Sequence, residues 1–153
     1  MEFVYDRTQA DVNRVTELNR KYIIGTITAE EKAEWAAGIK GALNLADVNR
    51  VESNMMAIAA EIAASVSTKT WSTEVALRES DYARILSNLG TIRAGYGIMS
   101  DTPLVPEHPV NTFQKWNDIE KILHDVHYVY THVQMDRFYC GSDVFAGEGI
   151  GVL

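Results

Sequence analysis

The residues of this chain best suited to chemistry lie in "EKILHDVH", where Glu120, His124 and His127 stand at Glu-x3-His-x2-His spacing. On a helix that spacing stacks three side chains over adjacent turns, and one carboxylate with two imidazoles is a ligand set that zinc accepts. His132 and Cys140 follow further along. The pattern lacks the His-Glu-x-x-His arrangement that aims two imidazoles at one metal, and His124 falls well off the apolar stripe of its helix. These residues therefore read as solvated or interfacial, with no metal and no cofactor expected. Other chemistries are represented less well. The chain has no Gly-x-Ser-x-Gly, no phosphate-binding loop and no dinucleotide fingerprint, and Cys140 sits in a glycine turn with no evident base beside it. Glu30, Glu31 and Glu148 are accounted for by capping and solubility. No catalytic residue is assigned, and no enzymatic activity is expected.

The elements that would position these groups announce themselves through a repeat. "ADVNRV" occurs at Ala10 to Val15 and again at Ala46 to Val51, and a looser form, D-x-x-[RK]-[VI], starts at Asp11, Asp47, Asp81 and Asp118. The starts are 36, 34 and 37 residues apart, close to the period of a helix plus its connection. An Asp in a first turn favours the positive end of the helix dipole, and apolar residues at i+1 and i+4 open a core-facing stripe. The stripes continue at helical spacing. Val12, Val15, Leu18 and Tyr22 form the first, with Gly25 as its stop. Val48, Val51, Met55, Ile58, Ala59, Ile62 and Val66 form the second. Tyr82, Ile85, Leu86, Leu89, Ile92 and Tyr96 form the third, and Ile119, Ile122, Leu123, Val126, Tyr130 and Val133 the fourth. The second helix, Leu45 to Val66, also carries Ala57, Ala60 and Ala64 on its other side, so it is expected to be central and covered on two faces. Thr28 and Glu31 make a capping box for a short extra helix ending near Gly38 or Gly41. "STKTWSTEVALRES" reads as a loop. "SDTPLVPEHPVN" holds all three prolines and leads to Thr112 as an N-cap.

Within the repeat, Asp11 with Arg14, Asp47 with Arg50, Asp81 with Arg84 and Asp118 with Lys121 have i,i+3 spacing. As a charged helix face they contribute little. As bridges to a neighbouring helix or subunit, Arg14, Arg50 and Arg84 become interface residues, a use that suits arginine.

A formal charge of -7 and the lack of any Lys/Arg run oppose nucleic-acid binding. No leader-like segment and no apolar run of about 18 residues is present, so no membrane insertion is expected. A single cysteine rules out an internal disulfide. The chain length suits one helical domain over residues 1–137, followed by an arm over 138–153 in which "FYCGSD" and "VFAGEG" echo one another. The arm reads as a small β-hairpin or extended segment. The expected fold is mainly α, a four-helix bundle-like core with an extra short helix and this C-terminal arm. Phe138, Tyr139, Phe145, Gly147 and Glu148 are the arm's candidate contacts with a neighbouring protein, Tyr139 and Phe145 serving as anchors.

The stretch "DRTQADVNRVTELNRKYIIGTITAEEKAEWAAGIKGALNLADVNRVESNM", then "DYARILSNLGTIRAGY", a proline-rich step and "NDIEKIL", resembles segments of tail- and baseplate-associated structural proteins of phages and prophages of Gram-positive bacteria. "FYCGSDVFAGEG" resembles a closing segment of such proteins, with Cys140-Gly141-Ser142 in place of a more usual Gly-Glu. The resemblance implies a non-enzymatic tail or baseplate part of the virion, made in the bacterial cytoplasm, present as a homo-oligomer and touching other virion proteins. The alternative is a cellular helical-bundle adaptor or regulatory protein.

Overall fold

A computed structural model of the chain describes residues 1–73 and 76–140. The described residues are mainly α, with five helices and no strand: α1 Gln9–Ile23, α2 Ala29–Ala37, α3 Leu45–Glu61, α4 Glu79–Gly95 and α5 Phe113–Cys140. Local chemistry sets where they begin. Thr8, Thr28 and Asn44 cap α1, α2 and α3, each accepting from the amide three residues on, while Asp11, Glu31 and Asp47 reach back to the cap amides. Asp81 does the same for the Arg78 amide at the start of α4, without a side-chain cap in return. Thr112 accepts from the Lys115 amide at the start of α5. Asp118 breaks the rule: α5 begins at Phe113, so the fourth copy of the motif lies in the second turn and not at a helix beginning.

Helix ends are local as well. Gly25 stops α1 at φ 75°, where the left-handed region favours glycine. The Thr26 amide then donates to the Lys21 carbonyl and closes a Schellman turn. The second stripe suggests a helix to Val66, but α3 ends at Glu61 because Ala63 takes φ 55° and the Ala64 amide donates to the Ala59 carbonyl. That left-handed turn reverses the chain, so Val66 reaches the core from a loop.

The core is built by α3, α4 and α5, which pack on one another pairwise. Val48, Val51, Met55, Ile58 and Ala59 meet Ile85, Leu89 and Ile92 and Ile119, Ile122, Leu123 and Val126 in one buried cluster, completed by Trp71, Val110 and Trp116. The expected fourth stripe does not join it. In α1 only Leu18 is buried, and Tyr22 is 67% exposed. Instead α1 and α2 form a hairpin joined by surface ion pairs, Arg14 to Glu34 and Lys21 to Glu31. The central placement of α3 holds on its apolar face. Of the alanines expected to be covered on its other side, Ala60 is exposed, Ala57 is half-buried, and Ala64, beyond the helix end, packs against the core.

Helix α5 continues through Phe138 and Tyr139 to Cys140, so the arm expected from residue 138 begins as helix. Phe145, Gly147, Glu148 and the proposed hairpin lie outside the described residues. No described helix is long and apolar enough to cross a membrane.

Candidate functional site

Charged residues placed inside apolar stripes are expensive unless paired, and this chain buries several. Glu120 sits between Ile119 and Ile122 on α5, fully buried. Its two oxygens accept from the Val4 amide at 2.7 Å, from Arg50 Nε at 3.1 Å and Nη2 at 2.7 Å, and from Arg7 Nη2 at 2.9 Å. Arg50 and Arg7 also reach Asp47 Oδ1, at 2.7 and 3.1 Å. Two guanidinium groups and two carboxylates thus tie α3, α5 and the N-terminal segment together. Burial opposes the Arg50 charge, but its hydrogen bonds to Glu120 and Asp47 outweigh this and raise its pKa. The N-terminal segment is fastened further by Asn117, which donates to the Arg7 carbonyl at 2.9 Å and accepts its amide at 3.2 Å, and by Asn54 donating to the Glu2 carbonyl.

A second centre repeats this plan on the other side of α3. Glu52 is buried and accepts from Trp71 Nε1 at 3.1 Å and from both terminal nitrogens of Arg84. Asn49 clamps the Trp71 backbone, accepting its amide at 2.8 Å and donating to its carbonyl at 3.1 Å. Asn88 clamps Ser67 in the same way. Each clamp satisfies the backbone of a non-helical segment that would otherwise lie against the bundle unpaired.

The histidines belong to a third region. Glu120 faces the arginines, so the three residues of the Glu-x3-His-x2-His pattern are not brought together. His124 Nδ1 lies 2.9 Å from Asp125 Oδ1, and its ring meets Phe3 edge-on at 5.5 Å and Tyr5 at 5.0 Å. His127 Nδ1 lies 2.8 Å from Glu61 Oε2. Asp125 is fully buried; burial pushes its pKa up, but hydrogen bonds from His124, Lys121 and Thr102 hold it below the ordinary value. Among the described residues, no three of His, Cys, Asp and Glu come together in a group that could hold a metal ion.

Of the arginines expected at an interface, Arg14, Arg50 and Arg84 all pair inside the chain, Arg14 on the α1–α2 hairpin and the other two with buried carboxylates. Arg7, Asn49 and Glu52 carry as much of the framework and are absent from the sequence-derived candidates. For Glu52 a signal existed: it follows Val51 and precedes Met55 by one turn, a carboxylate within a core stripe that demands a cation. Arg7, in an irregular N-terminal stretch, offers no such periodicity.

The surface also holds an open cavity of about 530 Å³ where the start of α1, the loop before α3 and the start of α5 meet. Val12, Leu43, Val110, Phe113 and Trp116 supply its apolar wall, and Arg7 the only charged side chain of its lining. Gly41 keeps the loop tight against α1: a Cβ there would overlap the Asp11 carbonyl. A smaller cavity of about 260 Å³ shares Leu43 and continues towards Trp71. With the geometry of these sites in hand, comparison of the chain with protein-family models, curated proteins and solved structures gives no match.

Proposed function

We propose that this protein is a non-enzymatic structural component of a phage tail or baseplate, present in several copies and contacting neighbouring subunits. The observation that supports a scaffold is the use made of the groups that could do chemistry. Glu120 is taken up by Arg50, Arg7 and the Val4 amide. His124 and His127 are paired with Asp125 and Glu61. In this reading their task is to fix helices and the N-terminal segment in register. Neighbour contact is supported by the end of the α1–α2 hairpin, where Tyr22, Ile23 and Ile24 are 67, 73 and 58% exposed in sequence, a contiguous apolar tip of the kind that marks interaction surfaces. The assignment to a tail or baseplate rests on the resemblance of the repeat-bearing segments.

The test is composition of the particle. Particles purified after induction of a lysogen that encodes this chain should contain it in amounts comparable to known tail proteins by quantitative mass spectrometry. Recovery only in the soluble cell fraction would favour the cellular adaptor instead. About one equivalent of zinc in protein purified without added metal would overturn the non-enzymatic reading.

A further inference from the structure

We infer that the open cavity at the start of α5 is the receptor for residues 141–153 of a second copy of this chain, with Phe145 as the inserted anchor. The inference deepens the reading of the protein as a multi-copy assembly part and rests on it.

Reach decides which copy supplies Phe145. From Trp116 at the cavity to Cys140 at the helix end, α5 rises about 1.5 Å per residue, roughly 36 Å. Phe145 stands five residues beyond Cys140 and can travel at most about 3.4 Å per residue, roughly 17 Å. It cannot return to the cavity of its own chain. It can enter the cavity of a copy placed head to tail, because α5 carries the segment at one end of the bundle and the cavity at the other.

Composition decides why this segment fits. "GSDVFAGEGIGVL" contains Asp143 and Glu148 and no Lys, Arg or His. The cavity lining carries no carboxylate and includes Thr112, the cap of α5, with Phe113 and Gln114 of its first turn, at the positive end of a long helix. Arg7, also in the lining, is already paired with Asp47 and Glu120 and adds no free charge. The apolar wall of Val12, Leu43, Val110 and Trp116 takes an aromatic ring, while the glycines at 147, 149 and 151 let the following backbone lie close to the rim. A donor at one end and an acceptor at the other make a heterologous contact, which propagates into a ring when the rotation closes.

The experiment uses the full chain and measures mass by light scattering across a concentration series. Wild type is expected to self-associate. Phe145→Asp in the donor, or Leu43→Asp at the 38% exposed acceptor rim, should each raise the concentration required at least about 30-fold, the effect of losing one buried anchor. Gln114→Glu, on an exposed lining residue, tests the acceptor through charge alone and should weaken association in the same sense. Mixing Phe145→Asp with Leu43→Asp should give a discrete dimer, since one partner keeps an intact cavity and the other an intact segment. Wild type that stays monomeric, association that survives both substitutions, or a mixture that remains monomeric would each overturn the inference. A monomeric chain that is nonetheless found in particles leaves the tail reading standing; arm-dependent association of a chain absent from particles does the reverse.

Discussion

In the first copy of Ala-Asp-Val-Asn-Arg-Val, Asp11 is the third residue of α1 and returns a hydrogen bond to the cap amide of Thr8; in the second, Asp47 is the third residue of α3 and does the same for Asn44. Beyond that shared turn the copies part. Val12 and Val15 are only partly buried, whereas Val48 and Val51 are in the core. Asn13 accepts from Gln9 on the surface, whereas Asn49 clamps the backbone of Trp71. Arg14 serves the hairpin at the surface, whereas Arg50 enters the buried cluster with Glu120. Identical residues thus dictate an identical helix start, because a capping box needs only atoms within four residues. What the remaining side chains do is set by partners far along the chain: Glu120 is 70 residues from Arg50.

The largest difference between the copies should appear when their valines are charged. Val51→Asp puts an unpaired carboxylate into the α3–α4–α5 core, a cost of several kcal/mol against a typical total stability of about 5–15 kcal/mol. It should abolish cooperative thermal unfolding in circular dichroism. Val15→Asp, on a helix outside that cluster, should retain helical dichroism and a cooperative melt. Equal loss in the two variants would mean that α1 is as central as α3.

The arginines come next. Removing one partner from a buried ion pair costs about 3–5 kcal/mol, since the other charges stay behind unpaired. Arg50→Ala should therefore lower the melting temperature by on the order of 10 °C for a chain of this size. Arg14→Ala should leave it close to wild type, the expectation for a solvent-screened pair. The comparison sharpens if Glu120→Gln is added, because Arg7 and Arg50 then share Asp47 as their remaining carboxylate in the cluster. Its melt should fall between those of Arg50→Ala and wild type.

The helices, their caps and three of the four apolar stripes were legible because they depend on periodicity and on residues three or four apart. Thr28 with Glu31, Thr112 before α5 and Gly25 after α1 are local signals of this sort. Two things were not legible. The first was the demotion of α1 from the core: its stripe is shorter, four residues against six or seven, but keeps helical spacing, and nothing local marks that α3, α4 and α5 close the core among themselves and leave Tyr22 outside. The second was the roles of the charges. Glu120 stood out in the sequence only for its spacing to His124 and His127, a weak metal pattern read as solvated or interfacial residues, whereas in the fold the chain from Val4 to Arg7 arrives to claim it, a contact spanning 116 residues for Val4. Ala63 was unreadable for another reason: alanine seldom takes a left-handed backbone, so nothing marked the end of α3.

The smallest effect expected concerns the looser copies, where Asp81 and Asp118 should respond oppositely to acid. Asp81 is held below its ordinary pKa by Lys69 and by the Arg78 amide. Its folded pKa lies under the unfolded value of about 3.9, so its contribution is present at neutral pH and is lost as pH falls through the folded pKa. Asp118, displaced into the second turn of α5, has its pKa raised by burial, with no hydrogen-bond or ion-pair partner among the described residues. A folded pKa above the unfolded one reverses the sign: ionisation is disfavoured in the fold, and stability is lost as pH rises from about 4 through the folded pKa. Asp118→Asn removes that penalty. At pH 7 it should raise the melting temperature by on the order of a degree or two, and the gain should vanish below about pH 4, where aspartate is neutral in both states. Asp81→Asn should lower the melting temperature at pH 7, with its effect also fading on acidification. Melting curves of the two variants and wild type between pH 3 and pH 7, a range spanning the aspartate transition at about 3.9, would read both signs in one series. A destabilising Asp118→Asn at neutral pH would show that this carboxylate, like those of the other three copies, has a partner that favours its charge.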